Sequence, residues 1–410
     1  MKIRSITLFA NPGWPLNQDS VQKAVAFAAA ARAAFERAAI EVQTVRYATP
    51  AFPSLLPDHK PSTVVHFAQA LEQALIPSGY GYIAIGPALP DDLDSYAAIP
   101  HVVAATENVF TSGLMASRAA GLSLPAVRAC AQVIHALGPQ DQAGFANLYF
   151  AALANVPAGT PFFPAAYHNG GAPAFAIATE AADLAVSAFT QAQSLAEARS
   201  NLVTALEQNT QKLTAVANEL TNRFADTLNL QFGGIDYSLA PFPEIEQSLG
   251  TALERLGIPA VGYHGSLAAA AFMTDAVDRA KFARTGFSGL MLPVLEDATL
   301  AARAEQGVLS IKDMLLYSAV CGTGLDTVPL PGDTTVEQLQ AVLLDLAALA
   351  LRLDKPLTAR LMPIPAKVAG EPTDFDFAFF ANSRVLALEA KPLTGLLSGD
   401  ECFSITPRKR

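Results

Sequence analysis

The sequence contains few cysteines, and their number and spacing argue against two kinds of structure. Three occur among 410 residues, Cys130, Cys321 and Cys402, and they are far apart. An odd number of widely spaced cysteines argues against a disulfide framework and against a zinc motif. This usage is typical of a protein in a reducing compartment, so we expect a cytoplasmic location.

Charged residues are also scarce, and the basic ones are the minority. They make up 16% of the chain, with 27 lysine and arginine residues against 37 acidic residues and a formal net charge of −10. Nucleic acid and anionic membranes are therefore poor partners. Hydrophobic residues reach 51%, which favours a surface that is partly buried in a homodimer or a higher homo-oligomer, and an alanine-rich genome is the alternative explanation.

Long apolar runs are missing as well. The most apolar late run, residues 342–351, is interrupted by Asp345 and is too short to span a bilayer. Near the start, Arg4 falls inside what would have to be the apolar core of a signal peptide, so we expect none. These features predict a protein with no membrane partner.

Strand-like and helix-like segments alternate regularly along the chain. This alternation favours a parallel α/β fold, which we expect to form a single domain over residues 1–410. The strand candidates lie at residues 2–10, 40–47, 80–85, 102–105, 146–156, 174–178, 289–295, 355–364 and 374–380.

A long helix-like stretch covers residues 182–228. Asn209 and Thr210 interrupt it, so two packed helices and one extended antiparallel arm both remain open. Ordinary packing on the domain is the simpler use of its apolar stripe, and a coiled-coil dimer arm is the more specific one. The stripe recurs every four or seven residues, at Leu195, Leu202, Leu206, Leu213, Val216, Leu220 and Phe224.

Glycine-marked turns follow several strand-like runs between residues 231 and 333, which predicts one shared pocket at the mouth of a sheet or barrel. In the first turn, Gly233 precedes Asp236 and Ser238, and strand spacing puts the last two on one side. Glycine lets a ligand approach the backbone, and the carboxylate could transfer a proton or hold a cation. An Asx-type turn that caps the end of a strand explains the same residues.

Two histidines occupy similar glycine-rich turns. His264 lies beside Gly265 after the apolar run 258–261, a setting that suits a general base or a metal ligand at a strand end. His168, which is followed by Asn169 and two glycines, has the same pattern, and we predict that it binds a ligand. A purely structural role is the alternative for each histidine.

Acidic residues in this region are candidate metal ligands. Glu296 and Asp326 could join Asp236 as oxygen ligands of a divalent cation such as calcium or magnesium. Acidic residues at positions 296–297 also suit the start of a helix, since they interact favourably with its positive end.

Three further positions suggest a nucleophile and an anion site. Cys321 is a candidate nucleophile if its pKa is lowered, and a buried apolar thiol is the alternative. Gly324 belongs to a Gly-Thr-Gly turn that resembles a phosphate-binding loop but lacks its lysine. Arg360 stands among apolar residues in a strand candidate. Because arginine in such a setting needs a carboxylate or phosphate partner, we predict that Arg360 binds an anionic ligand.

These residues belong to motifs with a family resemblance: Phe232-Gly233-x-x-Asp236-x-Ser238-Leu239-Ala240-Pro241-x-Pro243, Gly262-x-His264-Gly265, Gly324-Leu325-Asp326 and Thr358-Ala359-Arg360. They resemble the domain-of-unknown-function 711 family, which is also called pyruvate formate-lyase-like. The resemblance covers essentially the whole chain and is strongest from residue 231 to residue 362. It implies the ten-stranded α/β barrel of glycyl-radical enzymes and ribonucleotide reductases, with a helical excursion at residues 182–228.

Radical chemistry is not part of what the resemblance implies here. Radical lyases carry a glycine near the C-terminus within an Arg-Val-(Ser/Ala)-Gly-Tyr-type motif. Residues 386–410 contain no such motif, since Gly395 and Gly399 lie in other sequence contexts. The sequence therefore predicts a barrel of the glycyl-radical type without the radical machinery.

Two functions from different classes fit these observations. The first is a non-radical enzyme that acts on a small anionic metabolite. In it Arg360 would bind the substrate, His264 or Asp236 would be the acid or base, and Cys321 would be a further candidate. The second is a non-catalytic oligomer that senses a metabolite or a divalent cation, or that serves as a scaffold.

Overall fold

The chain folds into a mixed α/β structure built around one large sheet. The computed structural model describes residues 1–320 and 322–408, and the strands within them belong to one hydrogen-bonded sheet. The eleven described strands are β1 (Lys2–Phe9), β2 (Val42–Ala48), β3 (Tyr82–Ala88), β4 (Val109–Ser117), β5 (Gly121–Ser123), β6 (Phe150–Ala154), β7 (Ala174–Glu180), β8 (Gln231–Ala240), β9 (Gly324–Pro331), β10 (Leu357–Ile364) and β11 (Cys402–Phe403).

Helices separate most of these strands along the chain. None of the helices in the described residues is long and apolar enough to cross a membrane. The twelve described α-helices are α1 (Gln18–Arg37), α2 (Pro61–Leu75), α3 (Asp94–Ala105), α4 (Leu124–Leu137), α5 (Ala182–Thr190), α6 (Leu195–Arg223), α7 (Ala225–Leu228), α8 (Leu249–Arg255), α9 (Ser266–Arg279), α10 (Ala298–Glu305), α11 (Ile311–Val320) and α12 (Val336–Leu353).

Nine strands make up the main path of the sheet in the described residues, in the order β8-β7-β1-β2-β3-β4-β6-β10-β9. The strands β1, β2, β3, β4 and β6 are parallel to one another. The pairs β7–β8 and β9–β10 run antiparallel to that group. Two short strands lie off the path, with β5 paired to β4 and β11 paired to β5. The sheet is therefore mixed, where the alternation of segments alone predicts a parallel one.

A segment without regular secondary structure, residues 284–295, contacts both outermost strands of this path, and we call it the bridging segment. Its Met291 N donates a hydrogen bond to Ser238 O of β8 at 2.9 Å, and its Val294 N donates to Asp326 O of β9 at 3.0 Å. Only single β-bridges occur along it in the described residues. The strand predicted for its second half, residues 289–295, is therefore wrong.

The two faces of the sheet differ in chemistry, because successive side chains of a strand point to opposite faces. In β2, Val45 and Tyr47 belong to the main hydrophobic core, whereas Arg46 lines a cavity. In β10, Leu361 belongs to the same core and Arg360 lines the same cavity. The cavity therefore lies on the face of the sheet opposite the main core.

Two further predicted strands are wrong. Residues 102–105 form the end of helix α3, and a short apolar run does not distinguish a buried helix from a strand. Residues 374–380 form no strand. Their alternating Asp-Phe pattern imitates strand periodicity, but the rings pack against one another, with the centroids of Phe377 and Phe380 5.2 Å apart.

The predicted helical stretch packs on the rest of the chain. Helix α6 continues from Leu195 to Arg223 without a break at Asn209 and Thr210, so the predicted interruption is wrong. Both polar side chains find partners: Asn209 Nδ2 donates to Ala205 O at 2.8 Å, and Thr210 Oγ1 donates to the Tyr237 hydroxyl at 3.2 Å. The apolar stripe of α6 contributes to the main core. The predicted homo-oligomer therefore gains no support from this helix and stays a prediction.

Candidate ligand-binding site

Five charged side chains from distant parts of the chain meet at one cavity of about 90 Å³. Arg4 belongs to β1, Arg46 to β2, Asp326 to β9 and Arg360 to β10, while Glu296 directly follows the bridging segment. The alternation of side chains along each strand turns these residues away from the main core and towards one space. Charged groups buried together need partners, either each other or a ligand.

Two of the three arginines are neutralised by carboxylates. Arg360 donates from Nε to Asp326 Oδ1 and from Nη2 to Glu296 Oε1, both at 2.6 Å. Arg4 forms an ion pair with the other oxygen of Glu296, and its Nη1 lies 3.5 Å from Glu180 Oε2. None of these side chains is more than 13% exposed. The ion pairs are therefore buried and shielded from solvent.

Burial and pairing act against each other on the pKa values of these groups. Burial alone would lower the pKa of Arg360, but Asp326 and Glu296 outweigh it, and the pKa is raised. Burial alone would raise the pKa of Glu296, but Arg4 and Arg360 outweigh it, and the pKa is lowered. At Asp326 burial prevails over Arg360, and the pKa is raised. Of the two acids, Asp326 is thus the one closer to accepting a proton.

Arg46 is the cavity arginine that lacks a carboxylate partner in the part of the chain that the structure describes. Its Nε donates to Thr44 Oγ1 at 2.8 Å. Its guanidinium carbon lies 5.4 Å from the ring centroid of Tyr82 and 5.1 Å from that of Phe163. The residue is only 7% exposed, and burial, followed by repulsion from Arg4, lowers its pKa to about 9. At neutral pH it remains a buried cation that forms no ion pair of its own within the described residues, and Glu296 attracts it only from a greater distance.

Most of the remaining cavity wall is aromatic. Tyr82, Phe110 and Phe163 form a continuous set of ring contacts, with centroid distances of 5.2 and 5.6 Å. Phe377 and Phe379, from the segment wrongly predicted as a strand, contribute two more rings whose centroids are 5.2 Å apart. The cavity thus combines an unpaired cation with an apolar wall, which is completed by Leu148, Phe162 and Met291.

A smaller space of about 20 Å³ adjoins the cavity. The two spaces share Phe162, Phe163, Met291 and Asp326 as wall residues. Thr323 also lines the smaller space, and its buried hydroxyl has no hydrogen-bond partner among the described residues. Because the volume suffices for one water-sized group, a polar atom could lie there beside both Asp326 and Thr323.

The structure brings the predicted pair Asp236 and Ser238 together, but neither residue lines the cavity. Ser238 Oγ donates to Asp236 Oδ1 at 2.6 Å, and the backbone N–H groups of Phe287 and Ser288 donate to the carboxylate at 2.7 and 2.8 Å. Gly286 has a φ of +62°, and a Cβ there would lie 2.0 Å from Asp236 Oδ2, so glycine is required for this turn. Burial, opposed by these hydrogen bonds, raises the pKa of Asp236 to about 6. Asp236 lies within β8 and its backbone donors belong to a distant turn, so the predicted Asx-type turn at a strand end does not form, and the acid–base role stays a prediction.

The two predicted histidines lie apart from the cavity. His264 is exposed in a turn before α9, for which Gly265 is the N-cap residue. The run 258–261 forms no regular strand, so the predicted strand end at His264 is wrong. His168 is buried; its Nε2 lies 3.2 Å from Ala172 O, and its Nδ1 has no partner among the described residues. The catalytic and ligand-binding roles of these residues stay predictions.

The remaining predicted positions are two glycines, which affect only the course of the backbone, and Cys321. Cys321 lies outside the described residues. Gly324 begins β9, and a Cβ there would lie 2.1 Å from Thr358 O, so this glycine allows β9 to approach β10 closely. Gly233 belongs to β8, and neither glycine lines the cavity. Their predicted contacts with a ligand are untested.

The predicted metal ligands line the cavity, where their carboxylates are paired with arginines. Asp326 accepts a hydrogen bond from Arg360, and Glu296 accepts from both Arg360 and Arg4. Within residues 1–320 and 322–408, no group of three or more His, Cys, Asp or Glu side chains is arranged to hold a metal ion. The predicted divalent-cation site stays a prediction.

Comparison with known proteins settles the family. A family model described as Uncharacterised ACR (DUF711) matches residues 1–382. The chain belongs to this family. The resemblance inferred from the glycine-marked motifs is thereby confirmed, and the match continues past residue 362, beyond the part in which the motifs are strongest.

Several relatives of this DUF711 protein are UPF0210 proteins. One from Pyrobaculum aerophilum is 35% identical over 271 residues, which cover 64% of this chain and 57% of that relative. Those of Acetivibrio thermocellus and Methanococcoides burtonii are 30% and 29% identical over 323 residues, which cover 76% of this chain and 72% and 71% of the relatives. The matched part thus spans less than two-thirds of the Pyrobaculum aerophilum protein.

The sequence motifs of this DUF711 protein identify Arg360, Asp326 and Glu296 but not Arg4 or Arg46. A usable signal is nevertheless present, since Arg46 stands between Val45 and Tyr47 in a strand candidate. An arginine among apolar strand residues needs an anionic partner, which is the same criterion that singles out Arg360.

Proposed function

We propose that this DUF711 protein binds a small anionic metabolite in the cavity, with the anion placed against Arg46. The observation that carries the proposal is a buried guanidinium at the cavity wall with no carboxylate partner among the described residues. The neighbouring Arg4 and Arg360 both have such partners. A buried charge is costly unless it is paired, and an anionic ligand would supply the missing pair.

The position of Arg46 also favours an anion over a neutral ligand. Part of the lowering of its pKa comes from the positive charge of Arg4. An anion next to Arg46 would offset this repulsion and stabilise the charged guanidinium. The rings of Tyr82 and Phe163 hold the guanidinium in place by cation–π contacts. A fixed cation loses little conformational freedom on binding.

We also propose that the sheet closes into the ten-stranded barrel that the family resemblance implies. Support comes from the bridging segment, whose backbone donates hydrogen bonds to both β8 and β9. Its single bridges to these strands are parallel. With this segment counted as a strand, five strands run in each direction. The cavity would then lie inside the barrel.

Removal of the Arg46 charge is expected to weaken anion binding strongly. The change Arg46→Met keeps much of the side-chain length and removes the donors. We expect a loss of at least about tenfold in affinity, since a hydrogen bond to a charged group contributes about 1.5–3 kcal/mol. Isothermal titration calorimetry of wild type and variant with a panel of small carboxylates and phosphates measures the difference.

Two controls separate lost binding from lost folding. The change Arg118→Met removes an exposed arginine that pairs with Asp354 at 2.7 Å, and it should leave the affinity unchanged. Without ligand, Arg46→Met should unfold at the wild-type temperature or above it, because it removes an unpaired buried charge. If Arg46→Met binds each anion as tightly as wild type, or if wild type binds none, the proposal is wrong.

A second candidate function is catalysis of hydrolysis or hydration on the bound metabolite, and the small space beside Asp326 and Thr323 favours it. A water held there could transfer a proton to the Asp326 carboxylate as it attacks the ligand. The change Thr323→Val removes a hydroxyl that has no partner among the described residues, so it should leave folding and affinity unchanged. Turnover of the ligand, followed by NMR, should fall up to about a hundredfold, because the attacking water would lose the group that positions it. If the ligand stays unchanged after long incubation with wild type, the protein binds it without catalysis, as a sensor would.

A further inference from the structure

Resting on the proposed anion binding at Arg46, we infer that the ligand is a monocarboxylate whose remaining atoms form a flat apolar group such as an aromatic ring. Three features of the cavity support this ligand class. They are the net charge of its wall, the donors that Arg46 leaves free, and the aromatic rings that surround the space.

The charged groups of the cavity wall carry a net charge that one negative charge would balance. Three guanidinium groups face two carboxylates, so the wall carries one excess positive charge. Just outside, Lys2 and Glu180 lie 3.0 Å apart and balance each other. A monoanion would make the site neutral. A dianion would leave an unbalanced negative charge near Glu296 and Asp326, and charge repulsion is strong in a space with little solvent.

The free donors of Arg46 suit a carboxylate group. Its Nε is used by Thr44 Oγ1, and neither Nη donates to an acceptor within the described residues. The two Nη groups together present parallel N–H donors, which match the two oxygens of a carboxylate. The flanking rings of Tyr82 and Phe163 hold the guanidinium in place, and they therefore fix the position of the bound carboxylate.

The remaining wall suits an apolar group. Aromatic rings from β3, β4 and the segment 374–380 line the space. Aromatic side chains stack on flat rings or contact them edge to face, which contributes about 0.5–1.5 kcal/mol beyond the burial of area. A ligand such as phosphate or succinate would place its further oxygens against a wall that is mostly aromatic, with Gln43 as its uncharged amide donor, and an unpaired buried polar group is costly.

Calorimetric titration of wild type with benzoate, benzamide, acetate, succinate and inorganic phosphate tests the inferred class. We expect benzoate to bind at least about tenfold more tightly than each of the other four, a difference of about 1.4 kcal/mol or more. Benzamide has the shape of benzoate without its charge, and acetate has the charge without the ring. The two comparisons therefore measure the contributions of Arg46 and of the aromatic wall separately.

A wall variant provides the matched check within the protein. The change Phe110→Leu alters a ring that lines the cavity without contacting Arg46 directly. It should weaken benzoate binding about three- to tenfold and change acetate binding less than about twofold. Phe272→Leu, on helix α9 and away from the cavity, should bind benzoate like wild type.

The outcomes distinguish the ligand class from the anion site itself. Tighter binding of succinate or phosphate than of benzoate, lost in Arg46→Met, would overturn the aromatic monocarboxylate and leave the anion site intact. No binding of any of the anions, or binding that Arg46→Met does not weaken, would overturn both. Unchanged benzoate affinity in Phe110→Leu would contradict the placement of the ring against this wall.

Discussion

Replacement of Arg360 with methionine is expected to lower the free energy of unfolding by about 3–5 kcal/mol. Arg360 donates to Asp326 and to Glu296, both at 2.6 Å, and all three side chains are buried. Without the guanidinium, two buried carboxylates would lose a partner that offsets their desolvation. Urea denaturation of wild type and variant at neutral pH measures the change in the free energy of unfolding.

The control for this experiment is an arginine in an exposed ion pair. Arg37 lies 2.6 Å from Glu219, and more than half of each side chain is exposed. We expect Arg37→Met to cost less than about 1 kcal/mol, because solvent screens such a pair. A loss in Arg360→Met as small as that in Arg37→Met would show that the buried network does not hold the strands around the cavity together.

Replacement of Asp297 with alanine is expected to cost about 3–5 kcal/mol, since it leaves several buried donors unpaired at once. The fully buried carboxylate connects the starts of helices α8 and α10. Loss of one helix cap typically costs about 1 kcal/mol, and here two helix starts lose theirs together. The carboxylate accepts five hydrogen bonds, from Ser248 Oγ and from the backbone N–H groups of Leu249, Gly250, Thr299 and Leu300.

The loss of a single helix cap is the control with which this destabilisation is compared. Asn17 accepts one hydrogen bond from Ser20 N at the start of helix α1. We expect Asn17→Ala to lower the free energy of unfolding by about 1 kcal/mol. If Asp297→Ala costs no more than Asn17→Ala in the same urea experiment, the two helix starts do not depend on the shared carboxylate.

Parts of the fold can be predicted from the sequence because the patterns that indicate them are local. The family follows from glycine-marked motifs, and strands β1, β2, β3, β6, β7 and β10 follow from apolar runs bounded by turn residues, whereas β4, β8 and β9 have no strand candidate at their positions. The failures occur where a tertiary contact overrides a local pattern. The alternating phenylalanines of 374–380 imitate a strand, yet their rings pack into an aromatic cluster beside the cavity. Asn209 and Thr210 look like a break, yet both are hydrogen-bonded within or beside helix α6.

The candidate site can be predicted only in part from the sequence, for the same reason. Arg360 is identifiable because an arginine among apolar residues needs an anionic partner. Asp236 carries a strong local signal, but its partners Phe287 and Ser288 are about fifty residues away in sequence. No local pattern reveals that these donors enclose the carboxylate. The lack of a partner for Arg46 is equally non-local, since it depends on which carboxylates Arg4 and Arg360 engage.

A crystal structure of the protein with bound benzoate tests the central claim most directly. We predict the carboxylate within hydrogen-bond distance of both Nη atoms of Arg46, with the ring between Phe110 and the aromatic segment 374–380. Arg4 and Arg360 should keep their carboxylate partners. Benzoate bound elsewhere, or Arg46 turned to pair with a carboxylate of the protein itself, would contradict the account.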